Sequence, residues 1–350
     1  MASRPRVAVR GAGRMAGAFA ATCRVLGWPI DSVSSRTPER AAELATTFGA
    51  RAMGYDEQIA GPPPDLAIVA TPPADHVVAG RAWAEAGVPV VVATPLAATL
   101  ADADVLVAVA DRTGTPMLLG SQPVMAPAAQ ELYRRVAGLH EPTHLSGRSI
   151  RPAPDWGGFL DEHWSGGVLA HPGTHHVALA LLVARFVGAD PLVTVSARLD
   201  GIGEGRGERS EEDKITFPSG LRAHIELAWR DDVAGSWDLQ VAGADKVLRL
   251  DMADEPVLEH NGEPVALPVP PGDADVRNLT DVGLTPLLQT FWSDVEADRR
   301  PVLGMSFGRD VLEIVSAAYA SAGTGGKVAL PFTDPRDLTP LELYHHAVHA

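Results

Sequence analysis

Gly11-Ala12-Gly13-Arg14-Met15-Ala16 follows the apolar run Val7-Ala8-Val9 directly and opens a stretch of helical periodicity. Between a strand and a helix, this G-x-G-x-x-[GA] spacing is suited to holding a dinucleotide pyrophosphate. Gly11 allows the tight turn, Gly13 lets the backbone approach the phosphates, and Ala16 lets the helix pack close to the strand. Unpaired amides at the helix start, next to Arg14 and Met15, then face the anion. The bland alternative is a glycine turn with no ligand, because a fold alone never proves one.

The end of the second strand bears on which dinucleotide. It reads Ser34-Ser35-Arg36-Thr37, with no acid before Glu39 to accept from a ribose 2′-hydroxyl. Ser35 and Thr37 can donate to a 2′-phosphate while Arg36 supplies charge and a planar fork, so NADP is expected over NAD. A solvated Arg36 with Thr37 capping the helix from Pro38 is the competing reading. Thr71-Pro72-Pro73-Ala74-Asp75-His76 repeats the strand-to-helix geometry one strand on. Thr71 and Pro72 are therefore expected to line the cofactor, with His76 beside them or simply starting a helix.

The elements that must position these residues alternate strictly. Apolar runs at Val7–Val9, Ile30–Ser34, Leu66–Ala70, Val88–Ala93 and Met117–Leu119 are separated by helical stretches at Ala16–Leu26, Pro38–Phe48, His76–Ala86 and Leu100–Thr113. That pattern predicts a Rossmann-type, doubly wound parallel sheet over residues 1–121. After Gly120 the grammar changes, and residues 122–350 read as a second, α+β domain. A helix at Ala128–Val136, a strand at His144–Ile150, an irregular loop at Arg151–Gly167 and a helix from Pro172 to about Val187 come first. Strand-like runs follow at Leu192–Leu199, Asp213–Phe217, Leu221–Trp229, Trp237–Ala242 and Lys246–Asp251, predicting an open, largely antiparallel sheet. Helices at Pro286–Asp298 and Phe307–Ser321 close the pattern. The charged, Gly-rich Gly203–Asp213 reads as an exposed loop and Tyr344–His349 as a frayed end.

Composition narrows the partners. Among 350 residues, 44 acidic against 29 basic give a formal charge of −15, which repels nucleic acid. A lone Cys23 excludes an intrachain disulfide framework and a Cys-rich metal site, and fits a reducing compartment. With no long apolar segment and no apolar leader, a soluble cytoplasmic protein without membrane contact is expected.

With these pieces placed, the chain resembles the Gfo/Idh/MocA family of NAD(P)-dependent oxidoreductases from roughly Arg4 to Phe332. The resemblance rests on the glycine fingerprint, on Ala70-Thr71-Pro72-Pro73 with His76, on Ser165-Gly166-Gly167 leading to Gly173-Thr174-His175, and on the turn Val241–Leu250. It implies a second domain whose open sheet forms homo-oligomers, dimers or tetramers, and a small-molecule substrate held beside the nicotinamide. It also implies a lysine in E-K-P and an Asp/His pair in D-x-G-x-H. On this chain the first motif falls on Ala93-Thr94-Pro95 and the second on His171-Pro172-Gly173-Thr174-His175. Only His175 keeps the expected chemistry.

A threonine hydroxyl cannot be tuned to move a proton near neutral pH, so Thr94 is left to orient substrate or carboxamide. Proton transfer then falls to His175, with His171 second, since histidine titrates near about 6.5. A metal shared by the two histidines is not expected, because no Glu follows the first and no third ligand is evident. A capping His171 and a buried, satisfied His175 are the structural alternative. Gln122 is a further cofactor candidate, and Trp156, Phe159 and Trp164 can roof a substrate or pin their loop to the core. The leading expectation is an NADP-dependent reductase for a small substrate needing little acid help, such as an imine or conjugated enone. A redox-neutral or lyase-type enzyme keeping its nicotinamide, and a non-catalytic nucleotide sensor, are the alternatives.

Overall fold

The computed structural model describes residues 4–139, 141–155, 158, 166–189, 194–203, 206–217, 219–253, 256–267, 283–333 and 335–349. Its contacts divide the chain into two units, Met1–Gln122 with Leu284–Arg309, and Pro123–Gly283 with Asp310–Ala350.

The first unit runs β1 (Val7–Arg10), α1 (Arg14–Val25), β2 (Ile30–Ser34), α2 (Pro38–Phe48), β3 (Arg51–Met53), α3 (Tyr55–Ala60), β4 (Leu66–Val69), α4 (His76–Glu85), β5 (Val90–Ala93), α5 (Leu100–Thr113) and β6 (Met117–Gly120). The strands form a six-stranded sheet in the order β3-β2-β1-β4-β5-β6. Every pairing in it is parallel, which makes the doubly wound sheet expected from the alternation. All residues of β1, β4, β5 and β6 are buried, as strands covered on both faces must be. Each Val, Leu or Ile so buried contributes roughly 1.5–3 kcal/mol. Order reverses between β1 and β4, so the carboxyl ends of these two strands flank the switch point where ligands bind in such sheets. The short β3 and α3 were not foreseen, because three half-exposed residues carry no periodic signal.

The second unit begins with α6 (Pro127–Val136), β7 (His144–Arg151) and α7 (Thr174–Phe186). It continues with β8 (Thr194–Asp200), β9 (Ser210–Thr216), β10 (Arg222–Trp229), β11 (Ser236–Ala242), β12 (Val247–Asp251), β13 (Val257–His260) and β14 (Glu263–Pro264). The chain then passes through α8 (Leu284–Glu296), α9 (Met305–Thr324), β15 (Val328–Ala329) and α10 (Pro340–His349). Helix α8 belongs to the first unit, where Trp292 meets Trp28 edge-on at 6.3 Å. The second sheet has nine strands in the order β14-β13-β12-β11-β7-β10-β9-β8-β15. It is antiparallel apart from β7 and β10, which run parallel with Arg151 opposite Trp229. One face is lined by Leu145, Ile215, Ile225, Leu239 and Leu250, and α7 packs on β7, β10 and β11.

Three sequence expectations need correction. Gly203–Asp213 is not an exposed loop throughout: β9 starts at Ser210, and Glu208, Glu211 and Asp213 are buried. Glu211 and Asp213 sit at the period-2 positions that Ile215 continues into the core, where charge does not mean exposure. The helix expected from Pro172 begins at Thr174, after a π-helical turn over Leu169–Gly173 that contains Pro172. The tail is no frayed end, because α10 packs so tightly on α9 that a Cβ at Gly323 would come within 2.6 Å of the Tyr344 carbonyl and the Ala347 methyl.

Candidate functional site

In the first unit the glycine turn has the backbone that the fingerprint requires. Gly11 adopts φ +117°, donates its amide to the Ser34 carbonyl at 2.8 Å, and leaves no room for a side chain, which would overlap the Ala70 carbonyl. Gly13 is the N-cap of α1, exposed, with no side-chain cap and no acid in the first turn of the helix. A Cβ built on Gly13 meets no protein atom within 4 Å. An uncapped helix start with open space before it is a cradle for an anion. Arg14 and Met15 are half-buried in the first turn.

Around this turn, Ser34 is occupied structurally: its hydroxyl donates to Gln58 Oε1 at 2.6 Å inside the sheet. Ser35 is half-buried and Arg36 and Thr37 are exposed. Thr37 sits at the N-cap of α2 but makes no side-chain cap bond; its amide donates to Ser35 Oγ at 3.2 Å. The capping duty weighed for Thr37 is therefore absent, and its hydroxyl is left for other use.

Thr71 and Pro72 are half-buried, and Thr71 Oγ1 is a shielded hydroxyl with no hydrogen-bond partner. Such an orphan beside an uncapped helix start fits a bound polar ligand. His76 is fully buried instead of facing a ligand. Thr71 O lies 2.8 Å from its Nε2, and Pro95 O and Leu96 O lie 3.0 and 3.2 Å from its Nδ1. Burial holds the ring below its ordinary pKa, so it is neutral and can donate to one side only. His76 therefore sits between the Thr71 and Pro95 loops and bonds one of them. Thr94 is half-buried next to Pro95, and Gln122 is 3% exposed.

Sequence reasoning missed a network beneath these loops. Arg10, the last residue of β1, donates to Asp75 through Nε at 3.0 Å and Nη2 at 2.9 Å, and its guanidinium lies 3.6 Å from the Tyr55 ring centroid. Burial, followed by the charge of Asp75, raises the Tyr55 phenol. A buried cation ending the apolar run Val7–Val9 was the available signal. Cys23 is not reactive, since burial pushes its thiol up to about 12.

The second unit gathers the histidines. His171 lies in the π-helical turn, Thr174 Oγ1 donates to its carbonyl at 2.6 Å, and His175 follows in the first turn of α7. A π turn at such a place is a frequent mark of a functional site. Gly173 is required there, as a Cβ would come within 2.5 Å of Leu227. Burial, then the charges of Arg151 and His171, pushes His175 down to about 3. His176 is fully buried with its ring 4.2 Å from that of Trp237, and is likewise pushed down to about 3.

A second group missed in the sequence clamps this turn. Glu208 accepts from the Leu169 amide and from the Tyr319 hydroxyl, each at 2.8 Å, and burial pushes its carboxyl up to about 8. Gly167, at φ +130°, lies directly against that carboxyl. Burial and each other's proximity also raise the neighbouring Glu211, while burial raises Asp213. Trp156, Phe159 and Trp164 lie outside the described residues. Among the described residues no group of three His, Cys, Asp or Glu is placed to hold a metal, and no described helix is long and apolar enough to cross a membrane.

The sheet order, the glycine turn and its uncapped helix define a Rossmann unit. In comparison with known proteins, residues 5–121 match the Gfo/Idh/MocA model, described as the oxidoreductase family with an NAD-binding Rossmann fold. The 4-carboxy-2-hydroxymuconate-6-semialdehyde dehydrogenase of Sphingobium sp. strain SYK-6 is 33% identical over 112 residues, 31% of this chain. The chain spans only 36% of the length of that curated relative in the match. Solved structures share the fold over nearly the whole chain. GenD2 from gentamicin A biosynthesis, in complex with NAD, has a TM-score of 0.80 at 24% identity, covering 94% of this chain and 97% of its own. The WlbA dehydrogenase of Chromobacterium violaceum, with NADH and UDP-GlcNAcA, has a TM-score of 0.78 at 18% identity, covering 94% and 97%.

Proposed function

We propose that the chain is a nicotinamide-dependent oxidoreductase acting on a small organic substrate, with NADP preferred and His175 carrying the proton. The observation that carries this reading is the cradle at Gly13, uncapped, open and free of acids. When bound there, the nicotinamide dinucleotide supplies the hydride acceptor or donor. Gly11, Gly13, Arg14 and Met15 hold its pyrophosphate, Thr71 and Pro72 line it, and Thr94 and Gln122 are its further contacts.

NAD and NADH accompany the solved relatives, so the preference for NADP rests on Ser35, Arg36 and Thr37 of this chain. Arg36 is exposed and Thr37 has no cap bond, which leaves both available to a 2′-phosphate. Arg36→Ala is expected to weaken NADPH binding roughly 10-fold or more, the size of a charge-assisted hydrogen bond, and to leave NADH unchanged. Fluorescence titration of both nucleotides checks this, and equal loss for the two would remove Arg36 from the discrimination.

Burial holds His175 neutral, the form that can accept a proton, and makes it a weak base. A base this weak takes the proton as the hydride departs, not before. His175→Ala is expected to lower kcat at least about 100-fold while NADPH affinity stays unchanged. In the wild type, kcat/KM for oxidation should show no acid limb near pH 6.5, where an unshifted histidine titrates at about that value. Full turnover by the variant would remove His175 from the chemistry. His171 is the second candidate, and a substrate-side place for Trp156 and Trp164 completes the reading. We also infer a homo-oligomer formed through the open face of the second sheet. There Arg148 pairs with Glu226, and Arg249 with Asp238 and Asp251, leaving a polar surface fit for a second copy.

A further inference from the structure

One cation in the second unit breaks the pattern of its strand. Along β7 the inward positions are Leu145, Gly147 and Ser149, all buried, and the next inward position is Arg151. Its side chain therefore joins the helix-covered face, where Gly147 already meets the His176 ring. Arg151 lies close enough to push down both His175 and His176. Its guanidinium donates through Nε to Ser149 Oγ at 3.3 Å, and among the described residues no carboxylate pairs with it. Burial alone lowers its pKa, although it remains charged at any working pH.

Placing a half-buried guanidinium without a counter-charge costs free energy, and a strand end next to two neutral imidazoles does nothing to offset it. The planar fork matches a carboxylate in shape and in charge. We propose that Arg151 is the counter-charge for a carboxylate on the substrate, so that the chain acts on hydroxy or oxo acids in preference to neutral alcohols. This rests on the oxidoreductase reading given above for the same histidines. It also assigns the proton and the anion to different groups, the proton to His175 and the acid end to Arg151.

The test uses the full chain saturated with NADP, titrated calorimetrically with malonate and, as a neutral isostere, malonamide. Malonate should bind and malonamide should not. Arg151→Gln should weaken malonate roughly 10- to 100-fold, the loss of a charged bidentate contact, while Arg151→Lys recovers part of it. NADP affinity, measured on the same samples, should be equal in all three proteins and reports that each is folded. Equal binding of malonate and malonamide, no malonate binding, or an Arg151→Gln protein that binds malonate as the wild type does, overturns the proposal. Failure of NADP itself to bind would instead count against the nicotinamide reading.

Discussion

Gly13→Asp is expected to raise the stability of the chain slightly and to abolish dinucleotide binding. The backbone at Gly13 is extended, at φ −89° and ψ −174°, and an added Cβ meets no protein atom within 4 Å, so the substitution is sterically free. Aspartate is a preferred N-cap, worth about 1 kcal/mol in helix stability, and α1 has no side-chain cap. The same carboxylate, placed where the pyrophosphate would approach, repels it and fills its space. The expected loss is at least about 100-fold in NADPH affinity, from charge repulsion together with lost amide contacts. Opposite signs in a thermal melt and a binding titration would show that this turn is shaped for a ligand and not for the fold. Gly11→Ala makes the contrast, since its side chain would overlap the Ala70 carbonyl at a positive φ and should destabilise the whole unit.

Stability is expected to fall as pH rises from about 5 to about 8, by several kcal/mol, contrary to the usual rise for a paired carboxylate. Glu208 has its folded pKa raised to about 8, and Glu211 and Asp213 are raised with it. Between the ordinary carboxylate range and that value, the unfolded chain has released protons that the folded chain keeps. The unfolded state therefore binds fewer protons, and stability declines with pH until the cluster ionises in the folded state as well. Denaturant unfolding at pH 5.5, 7 and 9 reads the slope, and Glu211→Gln should flatten it. A stability that climbs over this range would mean that the cluster is already ionised and paired.

The first unit was legible in the sequence because its signals are local. The strand, glycine turn and helix at Val7–Val25 lie within one short segment, and the apolar runs repeat with the helices between them. What escaped there depends on residues far apart in the chain: Arg10, Tyr55 and Asp75 come from three elements, and neither spacing nor composition joins them. His76 was visible as a residue beside these loops, but its role was not, since only the fold places its ring between the carbonyls of Thr71, Pro95 and Leu96. In the second unit, the antiparallel sheet could be read from alternation, except where the alternating positions were acids. Glu211 and Asp213 looked solvated because carboxylates usually are. The π turn was not read because one of the groups that hold it, Glu208, which accepts from the Leu169 amide, is distant in sequence.

Everything proposed for the chemistry depends on a nicotinamide dinucleotide occupying the turn at Gly11 and Gly13. Titrating the purified chain with NADPH and with NADH, following nicotinamide fluorescence, tests this most directly. Saturable binding of NADPH, tighter than NADH and lost in Gly13→Asp, is the predicted result. Absence of binding of either nucleotide to the folded wild-type chain would contradict it.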